Sequence, residues 1–391
     1  MFFQLIFSVM PMFICLFWVV LLLYNKNRNL AKNYLAILLF LSAVNYFVHA
    51  AFFNRQYTLY AFTENIWVFT SLASFPLYYY YIRLLTRDVR INLGWSWILL
   101  PALLLSVFSF IIYFAMSPEE LDIFIRGVMY HEEGYNTPYP QLVKLQVLRI
   151  NLFKVVFPIQ IILLILFGSR LIIQYNNKVK EFYSNTVGKD LTPIKWLLFA
   201  FLFASIVSFA SSIVGKDFFI NKGLLICLPS ITHSLFLFFI GHIGFYQDFT
   251  IGDFYKDVEY YRKEKVKIAA KRKELELNDK ITMQQLSDLM SQKELYKNPE
   301  LRITDIALII GTNRTYISRI VNEEIHTNFC DWVNGFRIEY VKEIMNNSEY
   351  DNLSIQQIGE MAGFSSSSTF YRVFKEKEGI APGECRENIG F

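Results

Sequence analysis

Apolar and polar positions alternate on two different scales along this chain. Up to about residue 247, long apolar runs are separated by short polar stretches. Residues 2–24 carry no charge over the length that a bilayer-crossing helix needs, about 20 residues. Similar runs follow at 34–53, 62–85, 95–116, 150–173, 194–214 and 223–246, so the pattern predicts seven membrane-crossing helices. The third run is the most polar, with Glu64 and Asn65 at its start and Arg83 near its end. The first run has neither a basic n-region nor a small-residue cleavage site, and it reads as a span rather than a signal peptide.

Beyond residue 247 the apolar positions recur every three to four residues, the period of short amphipathic helices. Phe254, Val258, Tyr261, Lys265, Ile268, Arg272 and Leu275 follow one another in alternating steps of four and three. This seam over 254–275 would serve a homodimeric coiled coil, or the helix would be a plain solvated connector. Residues 283–295 predict another short helix, and Asn298-Pro299 a turn.

Two stretches then read alike. In the first, Ile303, Ile306, Ala307 and Ile310 form one apolar face, Gly311 marks a turn, and a helix from Arg314 to Asn322 turns Ile317, Ile320 and Val321 inward. That leaves Asn313, Arg314, Thr315, Ser318, Arg319 and Asn322 outward. In the second, Ser354 and Gln357 form a capping box. Ile355 and Ile358 are the core face, Gly363 is the turn, and Phe370, Val373 and Phe374 point inward. Ser366, Ser367, Ser368, Thr369, Arg372 and Lys375 remain available. A long helix over 329–345, with Trp332, Phe336, Ile338, Val341 and Ile344 as its apolar side, joins the two. Helix, glycine turn, helix is the outline of a unit that lays its second helix in the DNA major groove.

Composition sharpens the division. Charged residues make up only 18% of the chain, against roughly 25% in ordinary soluble proteins. Residues 1–250 hold 18 Lys+Arg and 11 Asp+Glu on a very apolar background, and the remainder holds 20 and 23. Basic residues gather in segments 25–33, 86–94 and 174–193, whereas 117–149 is acidic, with Arg126, Lys144 and Arg149 as its cations. By the positive-inside rule, the N-terminus lies outside and the C-terminal region inside. Between Lys256 and Lys273 there are eight Lys/Arg against three Asp/Glu, as expected next to anionic lipid.

Candidate chemistry is sparse. The cysteines Cys15, Cys227, Cys330 and Cys385 have no metal or redox spacing. With no phosphate-binding loop, paired catalytic carboxylates or nucleophile elbow in the sequence, neither an enzyme, a metal nor a cofactor is expected. Polar residues inside spans are costly and invite a functional reading. Asn45, His49, Glu64, Asn65 and His233 are candidates for a ligand pocket. Lys154, Gln160, Ser208, Ser211 and Ser212 also lie within spans. The alternative is polar glue between helices.

The C-terminal region resembles the DNA-binding domain of the AraC/XylS family of bacterial transcription regulators. The resemblance rests on the stretch Phe329 to Ile338, on Gly363-Phe364-Ser365, on Phe370 to Lys375 and on Ala381 to Arg386. The chain departs from the family pattern at Arg302, where Ser or Thr is usual, at Gly359 for Ala and at Cys385 for Tyr. A seven-span half ahead of such a domain is similar to a membrane-embedded branch of that family.

The resulting expectation is an all-α protein. A seven-helix transmembrane bundle over 1–247 is followed by a helical linker over 248–297. A double helix-turn-helix domain occupies 298–391. The resemblance implies a multi-pass regulator in the bacterial cytoplasmic (inner) membrane. Its partners would be double-stranded DNA, the lipid bilayer and an unknown small-molecule or envelope signal. The acidic balance of residues 298–391, 9 Lys+Arg against 14 Asp+Glu, keeps a protein partner open as the alternative. A transporter carrying an attached regulator is the third reading.

Overall fold

The computed structural model describes residues 2–135, 138–214, 218–219, 225–272 and 282–389. Among these, the named elements are all helical, and an isolated bridge pairs Tyr183 with Arg302. The chain folds as two compact units. One comprises residues 1–173 and 191–252, the other 174–190 and 253–391. This division differs from a linear boundary at 247, because residues 174–190 pack with the second unit.

The first unit is built from α1 (Phe2–Tyr24), α2 (Leu30–Phe53), α3 (Tyr57–Thr86), α4 (Leu100–Ala115), the short α5 (Pro118–Asp122), most of α6 (Gln141–Phe182), α7 (Thr192–Val214) and α8 (Cys227–Tyr246). Helix α2 packs between α1 and α3, α3 packs on α4, and α8 packs on α1 and α7. Gly241 lets α8 approach α1, since a Cβ there would lie 2.2 Å from Trp18 Cγ. Small residues at such crossings are how helices gain close packing where water supplies no driving force.

Among the described residues, six stretches are helical, long and apolar enough to cross a membrane: Phe2–Tyr24, Leu30–Phe53, Leu93–Ala115, Gln141–Phe182, Thr192–Ser211 and Cys227–Glu264. The expected run at 62–85 lies in α3, which is 30 residues long but less apolar. Its polar groups are buried against neighbouring helices. Glu64 pairs with Arg149 of α6 at 2.8 Å, both side chains having 0% exposure. Arg149 is therefore not the loop cation that the sequence suggested; it lies inside a helix. Its Nε donates to Gln146 Oε1 at 3.0 Å, and Gln146 Nε2 donates to Ser109 O at 3.1 Å. The network links α3, α4 and α6. Breaking such a pair from one side leaves a buried charge uncompensated, at a cost of about 3–5 kcal/mol. Asn25 donates to Phe245 O at 3.3 Å, Asn29 donates to Gln247 O at 3.3 Å, and Lys32 pairs with Asp248. These bonds bring the start of α2 to the end of α8. Large side chains on α1, α4 and α6 face outward, among them Phe13, Phe110, Phe114 and Leu166.

In the second unit, α9 (Ile251–Arg272) buries Phe254 and Tyr261, and Phe254 packs on Phe182 and Tyr183. Those two seam positions are used inside the chain and are not open to a dimer partner. Leu275 lies outside the described residues, as do the side chains of Lys265, Ile268 and Arg272. The other elements are α10 (Met283–Gln292), α11 (Ile303–Ile310), α12 (Arg314–Ile325), α13 (Phe329–Met345), α14 (Ile355–Met361), α15 (Ser367–Glu378) and α16 (Pro382–Ile389). One buried group gathers on Leu286, Met290, Ile306, Ala307, Ile317 and Val321 of α10–α12. A second core joins Ile338, Val341, Ile344 and Met345 of α13 to Ile358, Phe364, Phe370 and Phe374, with Cys385 packed against it. Helix α13 thus supplies one wall of the second core.

Candidate nucleic-acid interface

Each recognition helix starts at a side-chain cap. Asn313 Oδ1 accepts from Tyr316 N at 2.8 Å, and Ser366 Oγ accepts from Thr369 N at 3.3 Å. The preceding helices are also capped. Gln357 and Ser354 close the expected box, and Asp305 accepts from Arg302 N at 2.8 Å. Asp305 so supplies half of the cap that Arg302 lacks. Burial holds its carboxyl above the usual carboxylate range, against the lowering effect of the Arg302 N–H.

The turns are left-handed at Gly311 (φ 86°) and Gly363 (φ 92°). Gly363 is closely surrounded. A Cβ there would lie 2.6 Å from Tyr296 O and 2.7 Å from Lys297 O, both rigid backbone atoms. The departure at Gly359 also has a reason, since a Cβ would meet the Phe370 ring at 2.6 Å.

The structure gives the predicted contact residues different roles. Asn313 and Ser366 are spent on capping. Thr315, Arg319, Asn322, Ser368, Arg372 and Lys375 are exposed, while Arg314, Ser318 and Ser367 are half-buried. Arg319 and Arg372 repeat one arrangement 53 positions apart. Arg319 reaches Glu323 at 4.0 Å and Arg372 reaches Glu376 at 3.1 Å, each one helical turn on. Exposed pairs of this kind contribute only about 0.3–0.5 kcal/mol, so a phosphate can replace them.

The first recognition helix is partly covered. Glu181 Oε2 accepts from Ser318 Oγ at 2.7 Å and from Asn322 Nδ2 at 3.3 Å. The Arg314 guanidinium lies 5.6 Å from the Phe182 ring centroid. Tyr183 Oη donates to Asp257 Oδ2 at 2.6 Å, Ser184 N donates to Leu301 O at 3.0 Å, and Asn185 donates to Ser365 Oγ. Residues 181–185 are therefore built into the reader.

Arg337 is the residue that sequence reasoning missed. It is 1% exposed. Its guanidinium donates to Tyr296 O at 2.8 Å, Asn298 O at 2.9 Å, Ser184 O at 3.1 Å, Ser184 Oγ at 3.1 Å and Asn334 Oδ1 at 3.2 Å. Burial lowers its pKa to about 10, so it stays charged at neutral pH. The available signal was a charged residue in the buried column Val333, Arg337, Val341 of α13. Burial also raises the Cys330 thiol to about 11, which makes it a packing group rather than a nucleophile.

The model of a helix-turn-helix domain family matches residues 293–388. This region is an AraC-type helix-turn-helix domain. Over 88 residues it is 32% identical to the uncharacterized HTH-type transcriptional regulator YtdP of Bacillus subtilis, covering 22% of this chain and 11% of that protein. It is 28% identical over 89 residues to the Msm operon regulatory protein of Streptococcus mutans, covering 23% of this chain and 31% of that one. It is 29% identical over 97 residues to the probable transcription factor PqrA of Proteus vulgaris, covering 25% and 77%. The chain thus spans less than a third of the length of the first two relatives. No solved structure matches.

Of the pocket candidates, Asn45, His49 and His233 line one cavity of about 440 Å³ in the first unit. Glu64 is held in its ion pair, and Asn65 O accepts from Ser106 Oγ at 3.1 Å. Neither is among the lining residues. Ser208 Oγ and His233 Nε2 are 2.6 Å apart, and Trp67 Nε1 donates to His49 Nε2 at 2.9 Å.

Proposed function

We propose that this protein is a membrane-anchored, one-component transcription regulator. Its AraC-type domain reads double-stranded DNA through two recognition helices, under the control of a signal received by the first unit. The observation that carries the reading is the pair of capped recognition helices, with Arg319 and Arg372 exposed at matching positions.

Several features support membrane anchoring with seven crossings. The apolar side chains on α1, α4 and α6 form the kind of outward surface that lipid covers and water does not. The Lys32–Asp248 pair supports a reading with the start of α2 and the end of α8 on one side of the bilayer. That requires an even number of crossings between them. In this reading α2, α4, α6, α7 and α8 supply five, α3 the sixth despite its polarity, and α1 the seventh. Residues 174–190, basic by the loop-charge rule, are part of the reader unit. Both features favour a cytoplasmic reader and an external N-terminus.

Glu181 acts as a brake in this reading. Its carboxylate takes Ser318 and Asn322, groups suited to phosphate or base contacts, so DNA must displace it. The test is capture of genomic DNA fragments by the full chain in lipid nanodiscs. Specific fragments should be enriched, and Arg319→Ala with Arg372→Ala should abolish enrichment. Enrichment that survives the double substitution overturns the proposed surface. The acidic balance of residues 298–391 favours a second reading, a receptor whose reader fold binds a protein. It predicts a co-purifying protein and no DNA enrichment.

A further inference from the structure

We propose that the cavity in the first unit binds a small organic anion, a carboxylate on an apolar or aromatic body, with Lys154 as its principal counter-charge. This rests on the reading of the first unit as the input half.

The charge of the lining points to an anion. The cavity, about 440 Å³, is lined by Lys154 and Arg149 and by no Asp or Glu among the described residues. Arg149 is already matched by Glu64. Lys154 has no ion-pair partner among the described residues and supplies the uncompensated charge. An ammonium within a membrane-crossing helix is costly without an anion or water beside it. A cationic ligand would meet repulsion here, and a purely apolar one would leave the ammonium unmatched.

Hydrogen-bond inventory agrees with this sign. Asn45 Nδ2 donates to Thr70 Oγ1 at 3.0 Å and to Ser71 Oγ at 2.6 Å. Ser71 therefore accepts from Asn45 and keeps its own proton to donate. Arg149 Nη1 is a buried donor with no partner. Lys154, Ser71 and Arg149 all lie in the lining, donors suited to an acceptor-only carboxylate. The rest of the wall explains the body of the ligand. Trp67, Phe75, Phe157 and Phe201 line the same space, with Trp67 stacked on Phe153 and Phe75 edge-on to Phe157. A volume in the range of small-molecule sites, with apolar walls and a few convergent polar groups, fits an amphiphilic acid.

The test uses the full chain in nanodiscs of zwitterionic lipid. Two sets of probes share a body and differ in head group: 3-phenylpropanoate, its amide and 3-phenylpropylamine, and decanoate, its amide and decylamine. Saturation-transfer NMR with titration gives each dissociation constant. In at least one set, the carboxylate should bind 10-fold or more tightly than the amide, with the amine weakest. Lys154→Met should bring the carboxylate-to-amide ratio close to one, and Lys154→Arg should preserve it. Ser71→Ala should weaken the carboxylate a few-fold and keeps the idea testable should Lys154→Met fail to fold. An amine that matches the carboxylate, a ratio unchanged in Lys154→Met, or no saturable carboxylate binding in either set overturns the proposal. Binding is read without DNA, so this result and the fate of the DNA-reading surface are independent.

Discussion

The two helix-turn-helix arms share one plan and meet different surroundings. Both have a glycine turn, a capped recognition helix and an arginine tethered to a glutamate one turn on. In the second arm, Arg372 and Lys375 stand exposed and Ser365, at the turn, takes a bond from Asn185. In the first, Ser318 and Asn322 are held by Glu181, and Arg314 lies by Phe182. Sequence repetition therefore does not imply equal availability. A chain segment distant in sequence can occupy one copy of a repeated surface and leave the other open. On the proposed reading the second arm is held only at its turn and the first along its recognition helix, and restraint is where control can act.

Four perturbations probe that difference. The largest effect is expected from Arg337→Met, which leaves several buried carbonyls without a donor, at a cost of about 3 kcal/mol or more. Its partner Ser184 bonds Leu301 at the start of the first arm, and its partner Tyr296 lies against Gly363 of the second. Hydrogen exchange should therefore show both arms loosened, and unchanged protection in either would remove Arg337 as their common tie. Gly363→Ala comes next, at about 2–4 kcal/mol, because strain from the positive φ adds to collision with two backbone carbonyls. Gly311→Ala should cost about 1–2 kcal/mol for the left-handed conformation. Thermal unfolding of the two variants side by side measures the gap.

Third, Arg372→Ala should weaken binding to captured DNA by about 1–3 kcal/mol, roughly 5- to 150-fold. Arg319→Ala should cost less while Glu181 holds the first arm. Band shifts at fixed salt compare them, and equal losses would mean that both arms are engaged from the outset. The smallest effect is that of Glu181→Gln, which removes the charge from a half-exposed hydrogen bond. It should raise DNA affinity by about 1 kcal/mol, roughly five-fold. In that background Arg319→Ala should approach the cost of Arg372→Ala. An unchanged affinity in Glu181→Gln would remove the brake.

Much of this was legible in the chain itself. Periodicity placed α11 through α15, the left-handed glycines and the inward residues, because local spacing alone decides which face of a short helix is apolar. Apolar runs located the six described stretches that are long and apolar enough to cross a membrane. The polar character of α3 was visible as well, but its meaning was not. Glu64 found its partner in Arg149, 85 residues away, and sequence order had assigned that arginine to a loop. The tertiary structure alone decided which polar groups meet. It placed residues 181–185 against the reader, turned Arg337 from a charge on a helix into a buried tie, and used Phe254 and Tyr261 within the chain. The physical reason is range. Helix formation and amphipathicity are set within a few residues, whereas hydrogen bonds and ion pairs between elements depend on packing that brings distant residues within about 3 Å. Arg319 and Arg372 follow from the pattern of the chain; the covering of one arm and the exposure of the other follow only from the fold.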